Sequence, residues 1–291
     1  MTVLRTYVSR LRDLVSAGKP RVVLLFLFTA WAVSVLSSGR LWSEQTPATL
    51  VGLGLAVGGA GALNQYLERD RDRLMARTRL RALPQDRLPA WSVLGSGAVA
   101  CISGVVLLGV AVRPLCAVLA AAGAAYYLLV YTILLKPHSP WSAVSGGPAG
   151  VFPPLVGWAA AGGPFTLVTL YVCALVFLWS PAHFWALAVA HGDEYAVAGI
   201  PTPVSAWGKG YAGLLVLLYT VATVAVSLLP AAGGHFGGLY LGVAVAAGVA
   251  LGVAAVRMWR TPVAPRARLL HRASGAYLAV ILAAMVVDRV V

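Results

Sequence analysis

The apolar positions of this chain fall into long runs separated by short polar joints. Runs at 22–38, 47–66, 92–111, 114–135, 142–162, 165–187, 210–230, 236–256 and 269–287 are close to 20 residues each. A helix rising 1.5 Å per residue needs about 20 residues to cross a ~30 Å hydrocarbon slab, and a helix also satisfies its own backbone hydrogen bonds there. The pattern predicts an all-α, polytopic membrane protein with nine transmembrane helices. The joints are too short for a soluble domain, so residues 1–291 read as one domain with 1–20 as an N-terminal arm. Gly54 and Gly58, and again Gly248 and Gly252, stand four apart on faces where helices can approach closely. Pro153 and Pro154 lie inside the fifth run and predict a kink there.

Composition agrees with this reading and removes some alternatives. The 291 residues are 60% hydrophobic with a mean hydropathy of +0.84, more apolar surface than one soluble core hides. Cys101, Cys116 and Cys173 sit inside predicted spans without metal-ligand spacing and read as small packing residues. The net charge of +13 is a topology signal: with nine spans, 19 of the 22 Lys and Arg fall on the side of the N-terminus, leaving Arg40, Arg113 and Arg289 opposite. That bias places the N-terminus in the cytoplasm and argues against nucleic acid as a partner. Arg5, Arg10, Arg12, Lys19 and Arg21 precede the first run without the layout of a cleaved signal. No transit peptide is apparent, which points to a prokaryotic inner membrane.

The acids are placed less evenly. Six of nine carboxylates lie in two joints, Glu68, Asp70, Asp72 and Asp86 after the second run and Asp193 and Glu194 after the sixth. With nine spans both joints face the same side, which hints at a weak internal duplication. Asn64, Glu68 and Asp72 are spaced i, i+4, i+8 and share one helix face, a set of hard oxygen donors suited to Mg²⁺. Arg69, Arg73 and Arg77 form a parallel basic ridge suited to phosphate oxygens. The plainer alternative is a solvated loop whose acids and arginines pair with one another for about 0–1 kcal/mol each. "HGDEYAVAGIP", with Asp193, Glu194 and Tyr195, supplies a second acidic corner and favours metal ions clamped on a diphosphate.

"NQYLERDRDRLMART", "YTILLKPHSP", "GGPAGVFPPLVGWAA", "SPAHFWALAVAHGDEYAVAGIP" and "ARLLHRASGAYLAVILAAMVVD" come in an order and spacing that resembles the UbiA-type intramembrane prenyltransferases, most of all the haem O synthase branch. The likeness runs from about Lys19 to Asp288. It implies nine helices around a central cavity with the diphosphate at a cytoplasmic mouth. It also implies the chemistry: farnesyl diphosphate ionises, a vinyl group of haem B captures the allylic cation, and water completes the product, haem O. Haem B is thus a substrate, and Mg²⁺ the only cofactor. By position, the resemblance makes Asn64, Glu68 and Asp72 one metal motif and Asp193 with Glu194 the second, with Arg77 and Lys136 on the diphosphate. Arg69, Asp70, Tyr131, His183 and Tyr195 are further substrate-contact candidates. Membrane lipid and the machinery of haem A synthesis and terminal-oxidase assembly are the partners implied.

The chain departs from that pattern in places. Glu68 stands where aspartate is usual, Ala82 replaces the proline of an "RPL" motif, and Pro137-His138 follow Lys136 where arginine is usual. Tyr131 fits either a cation-stabilising ring or an interfacial tyrosine belt. His183 fits either a packed histidine or a group that contacts haem or manages a proton; His271 reads as structural. Two other functions stay open: a UbiA-type prenyltransferase acting on a quinone precursor or lipid, and a non-catalytic carrier of haem or an anion.

Overall fold

A computed structural model describes residues 2–291, with side chains from Tyr7 onward, so Met1 and the side chain of Arg5 lie outside the described residues. Every regular element is helical. An amphipathic helix α1 (Thr2–Ala17) leads into α2 (Pro20–Ser38), α3 (Thr46–Leu74), α4 (Ala90–Ala111) and α5 (Pro114–Ala125), which continues without interruption as a π-helix over Tyr126–Leu135. After two short pieces, α6 (Ser142–Ser145) and a 3₁₀ turn (Gly147–Gly150), come α7 (Phe152–Ala161), α8 (Leu167–Ala190), the short α9 (Gly192–Val197), α10 (Pro203–Ala232), α11 (Gly238–Arg260) and α12 (Ala264–Val290).

Among the described residues, eight helices are long and apolar enough to cross a membrane. The protein is therefore an integral membrane protein, and outward-facing Val99, Ile102, Val106 and Val110 on α4 show the greasy exterior such a setting requires. The segment expected as the fifth span, 142–162, is a broken element made of α6, the 3₁₀ turn and α7. Its prolines start a helix and do not bend one: Pro153 and Pro154 sit in the first turn of α7, where backbone N–H groups have no partner to lose. The break falls just before them, at Gly146, Gly147, Pro148 and Gly150.

Helices α3 and α4 pack closely along glycines seven apart. A side chain at Gly52 would meet Leu108 at 2.8 Å, and one at Gly97 would meet Ala62 at 3.1 Å. Gly59 and Gly104 rest directly on the opposite backbones. Gly54 and Gly58 face α2 instead, against Leu27 and Val23; Gly248 packs on Val224, whereas Gly252 meets nothing within 4 Å. Apolar core surrounds α8, α10, α11 and α12, and a smaller cluster joins α2, α3, α5 and α7. Between the two lies the cavity described next.

Candidate active site

The C-terminal half of α3 carries its acids inward. Asn64, Glu68 and Asp72 are buried, at 1%, 5% and 5% exposure, because the i, i+4, i+8 spacing holds them on the inner face of one long helix. Each has a cationic or polar partner. Glu68 Oε1 accepts from Lys136 Nζ at 2.5 Å, and Asp72 Oδ2 accepts from Arg81 Nη1 at 2.6 Å. Asn64 accepts from Lys19 Nζ and donates to Thr132 Oγ1 at 3.0 Å. Lys19 also donates to the Tyr127 hydroxyl at 3.0 Å and, among the described residues, makes no ion pair with a carboxylate. It stands at the left-handed start of α2, φ 56°, on a turn whose Gly18 packs against the backbone of Gly61.

The winding of the fourth span decides what faces these acids. Nine residues separate Tyr127 from Lys136, about two and a half turns of an α-helix, which would send them to opposite faces. A π-helix takes about 4.4 residues per turn, so the same nine residues make roughly two turns and return to one face. Tyr127, Tyr131 and Lys136 accordingly all line the cavity, with the two tyrosine rings stacked 5.9 Å apart. Thr132 Oγ1 donates to the Tyr127 carbonyl at 2.8 Å and so ties down the turn that also holds Asn64. Gly146 leaves room for the Tyr131 ring, which any side chain at that position would strike.

The two acidic joints meet. The Arg77 amide donates to Glu194 Oε2 at 3.0 Å, and buried Met75 packs with Ala198, Ile200 and the partly buried Tyr195. Burial acts to raise the Glu194 carboxyl, but the hydrogen bonds from the Arg77 amide and from His191 Nδ1 at 2.9 Å outweigh it and hold the group below its ordinary value. The first joint is also fastened to α1 by a two-toothed pair between Arg87 and Asp13, both contacts 3.0 Å.

One cavity of about 370 Å³ opens at this corner and runs inward between α2, α3, α5, α7 and α8. Of the residues expected from sequence, Asn64, Glu68, Asp72, Arg77, Tyr131, Lys136, His183 and Tyr195 line it. Asp193 is exposed, Asp70 points outward, and Arg69 stacks on the Tyr66 ring 4.5 Å away; none of these three lines the cavity. Glu194 stands behind the wall as the latch to Arg77. The basic ridge divides: Arg77 faces the cavity while Arg73 pairs with Asp86 at 2.6 Å. Sequence reasoning missed Lys19, Arg71 and Arg81, which also line it, as does Tyr127, the neighbour of Tyr131 in the same tyrosine cluster. The signal available for Lys19 was a lysine directly ahead of Pro20 and the first apolar run. Five lining cations oppose two lining carboxylates, an excess of three positive charges at the mouth. Deeper, Phe26, Phe152, Trp179, Phe184 and Trp185 make the wall aromatic and apolar.

Among the described residues, no three acidic, histidine or cysteine side chains lie close enough to hold a metal unaided. Two buried carboxylates and a carboxamide on one helix face are nonetheless a donor set for a hard divalent cation whose other ligands are water and substrate phosphate, the usual arrangement for Mg²⁺. The residues present fit such a cation.

An all-helical membrane protein whose buried acids and cations guard the mouth of a greasy cavity is built to split a charged group from an apolar one. The chain belongs to the UbiA prenyltransferase family, whose sequence profile matches residues 25–281. It is 41% identical over 281 residues to the protoheme IX farnesyltransferase of Alkalilimnicola ehrlichii, covering 96% of this chain and 92% of that one. For the protoheme IX farnesyltransferase of Symbiobacterium thermophilum the identity is 40%, covering 95% and 94%. The protein of that name from Roseiflexus sp. is longer: at 38% identity the match covers 97% of this chain, which spans about half of that relative, 53%. The structure of a digeranylgeranylglyceryl phosphate synthase superposes with a TM-score of 0.75 at 17% identity, covering 100% of this chain and 99% of that one. A UbiA homolog from Archaeoglobus fulgidus bound to GPP and Mg²⁺ gives 0.69 at 13%, covering 94% and 99%. At such identities the shared property is the fold.

Proposed function

We propose that this chain is a haem B farnesyltransferase that makes haem O from farnesyl diphosphate and protohaem IX. The observation that carries the reading is one cavity joining a cation-rich, acid-lined mouth to a long aromatic and apolar interior. A prenyl diphosphate needs both environments at once. The names of the relatives that match over nearly the whole of this chain supply the acceptor.

Sidedness follows from which ends touch. Lys136 meets Glu68, and Arg77 meets Glu194. Both contacts are consistent with an even number of crossings between Lys136 and Glu194, which supports reading the broken 142–161 segment as the partner crossing to α8, nine in all. The pair between Asp13 and Arg87 supports putting the N-terminal arm on that same side. The excess of Lys and Arg there supports reading it as the cytoplasmic face of an inner membrane.

The reaction breaks the bond between C1 of the farnesyl chain and the diphosphate oxygen, and both electrons leave with the diphosphate. The vinyl group then bonds to C1, and water captures the resulting cation and loses a proton. Lys136, Arg77 and Arg81, with Lys19 beside them, receive the growing negative charge from fixed positions, the kind of contribution that costs about 10²–10³ in rate when one donor is removed. Glu68 and Asp72, with Asn64 beside them, would hold a divalent cation, Mg²⁺ in this reading, which would supply further positive charge against the diphosphate oxygens. Asp193 is left out of that set because it is exposed. Tyr127 and Tyr131 offer ring faces to the allylic cation, and the apolar wall keeps bulk water from it.

Purified protein given farnesyl diphosphate, haem B and Mg²⁺ is expected to release diphosphate and yield a haem heavier by one farnesyl group and one hydroxyl. Removal of divalent cations with EDTA is expected to stop both. Unchanged haem, with prenylation of an aromatic acid or a glycerol lipid instead, overturns the assignment of acceptor.

A further inference from the structure

At the cavity wall, about two turns from the mouth-side ends of both helices, α8 and α12 are clasped by a closed ring of hydrogen bonds. Nδ1 of His271 lies 3.0 Å from the His183 carbonyl, which only accepts, so this nitrogen carries a proton. Ser274 Oγ donates its only proton to the His271 carbonyl at 2.9 Å. The 2.8 Å contact between Ser274 Oγ and His183 Nδ1 therefore has the histidine as donor. Both rings thus carry Nδ1–H in this hydrogen-bond pattern, and the Nε2 of each is left over.

On His183 that nitrogen is open. No partner for Nε2 is found, and among the described residues the only fully enclosed side-chain polar atom without a hydrogen bond is Ser37 Oγ. His183 lines the cavity, with Nδ1 engaged by Ser274 and Nε2 left without a hydrogen-bond partner among the described residues. The ring is held hard: it stacks on Trp179 at 4.4 Å and lies tilted against His271 at 3.9 Å, and Trp179 Nε1 donates to the Ser274 carbonyl at 2.8 Å. A clasp between helices needs only Nδ1 and the carbonyls. It does not need a second nitrogen on the wall of a greasy cavity, where an unpartnered polar atom is costly.

We infer that His183 Nε2 is an axial ligand to the iron of the porphyrin acceptor, with Ser274 as the outer partner that fixes its tautomer. An imidazole whose remote N–H is bound to a fixed acceptor is the usual form of a metal-ligating histidine. Iron in a porphyrin takes such a nitrogen on its open face. Coordination uses an existing lone pair, so no proton is released and no electron moves. The ligand fixes the porphyrin by its centre and limits where its edge can lie relative to the diphosphate mouth. This inference rests on the proposed haem acceptor.

The test uses the intact protein in detergent, titrated with haem B and with metal-free protoporphyrin IX. The wild type is expected to bind the iron porphyrin about 10–100-fold more tightly than the metal-free one and to show an axial-imidazole absorption and EPR signature. His183→Ala is expected to bind both porphyrins alike, with added imidazole restoring the signature. Ser274→Ala, which keeps the imidazole, is expected to weaken iron-porphyrin binding about tenfold, and it serves if His183→Ala does not fold. Farnesyl transfer is measured separately. Wild type that farnesylates haem while His183→Ala and Ser274→Ala keep the wild-type spectrum and iron preference overturns the ligand and leaves the reaction standing. A His183-dependent iron signature without any farnesyl transfer supports the ligand and overturns the reaction.

Discussion

The pair between Lys136 and Glu68 allows stability and chemistry to be separated. The two side chains are 20% and 6% exposed and 2.5 Å apart, well below the exposure at which solvent would cancel the interaction. Neutralising one partner strands the other charge, which for a buried pair costs about 3–5 kcal/mol. For a domain this size that corresponds to a fall in Tm of roughly 5–10 °C. Removing both charges leaves nothing stranded, and such replacements are close to neutral in stability. Glu68→Gln and Lys136→Gln are thus each expected to unfold several degrees early, while the double variant returns to near the wild-type Tm. Activity behaves differently if these groups serve the diphosphate. The double variant lacks both the carboxylate and the ammonium, and is expected to stay at least about 100-fold below wild type in diphosphate release, the loss of one preorganised charge contact. Thermal unfolding in detergent and a coupled diphosphate assay give the two readouts. A double variant that regains wild-type turnover along with its Tm refutes the reasoning and makes the pair a structural rivet.

The latch between Glu194 and Arg77 carries a pH signature. Its carboxyl is held below the ordinary 4.5, so the latch contributes fully above that value and is lost as pH falls through the lower folded value. Protection of the Arg77 amide, its exchange rate taken relative to the base-catalysed intrinsic rate at each pH, is expected to be high and level above about pH 5 and to fall below it, and Glu194→Gln is expected to remove the transition; an unchanged protection profile in the variant contradicts the contact. Glycines along the helices divide by what lies opposite. Gly104→Ala drives a methyl group into the backbone of α3 and is expected to destabilise by about 1–3 kcal/mol. Gly252→Ala meets nothing within 4 Å and is expected to be neutral or to stabilise by about 0.5–1 kcal/mol through helix propensity; equal effects at the two sites contradict the helix packing.

Much of this protein could be read from its residue order. Runs of about 20 apolar residues define long helices through contacts between near neighbours in the chain. Asn64, Glu68 and Asp72 share a face because α3 is regular throughout, so their spacing alone placed them together. Other features were decided by packing. A sequence does not announce ten residues of π-helix, yet only that winding turns Lys136 toward Glu68, 68 positions earlier. Asp193 and Glu194 look equivalent as a motif, but α9 turns one to solvent and the other onto Arg77. Lys19 owes its place to a left-handed turn seated on the glycines of α3, and the tautomer of His183 to a serine on α12. The physical reason is common to all of these. Periodicity and burial are set by a few adjacent residues, whereas the partner of a charge or a lone pair depends on how helices far apart in the chain come to rest against each other.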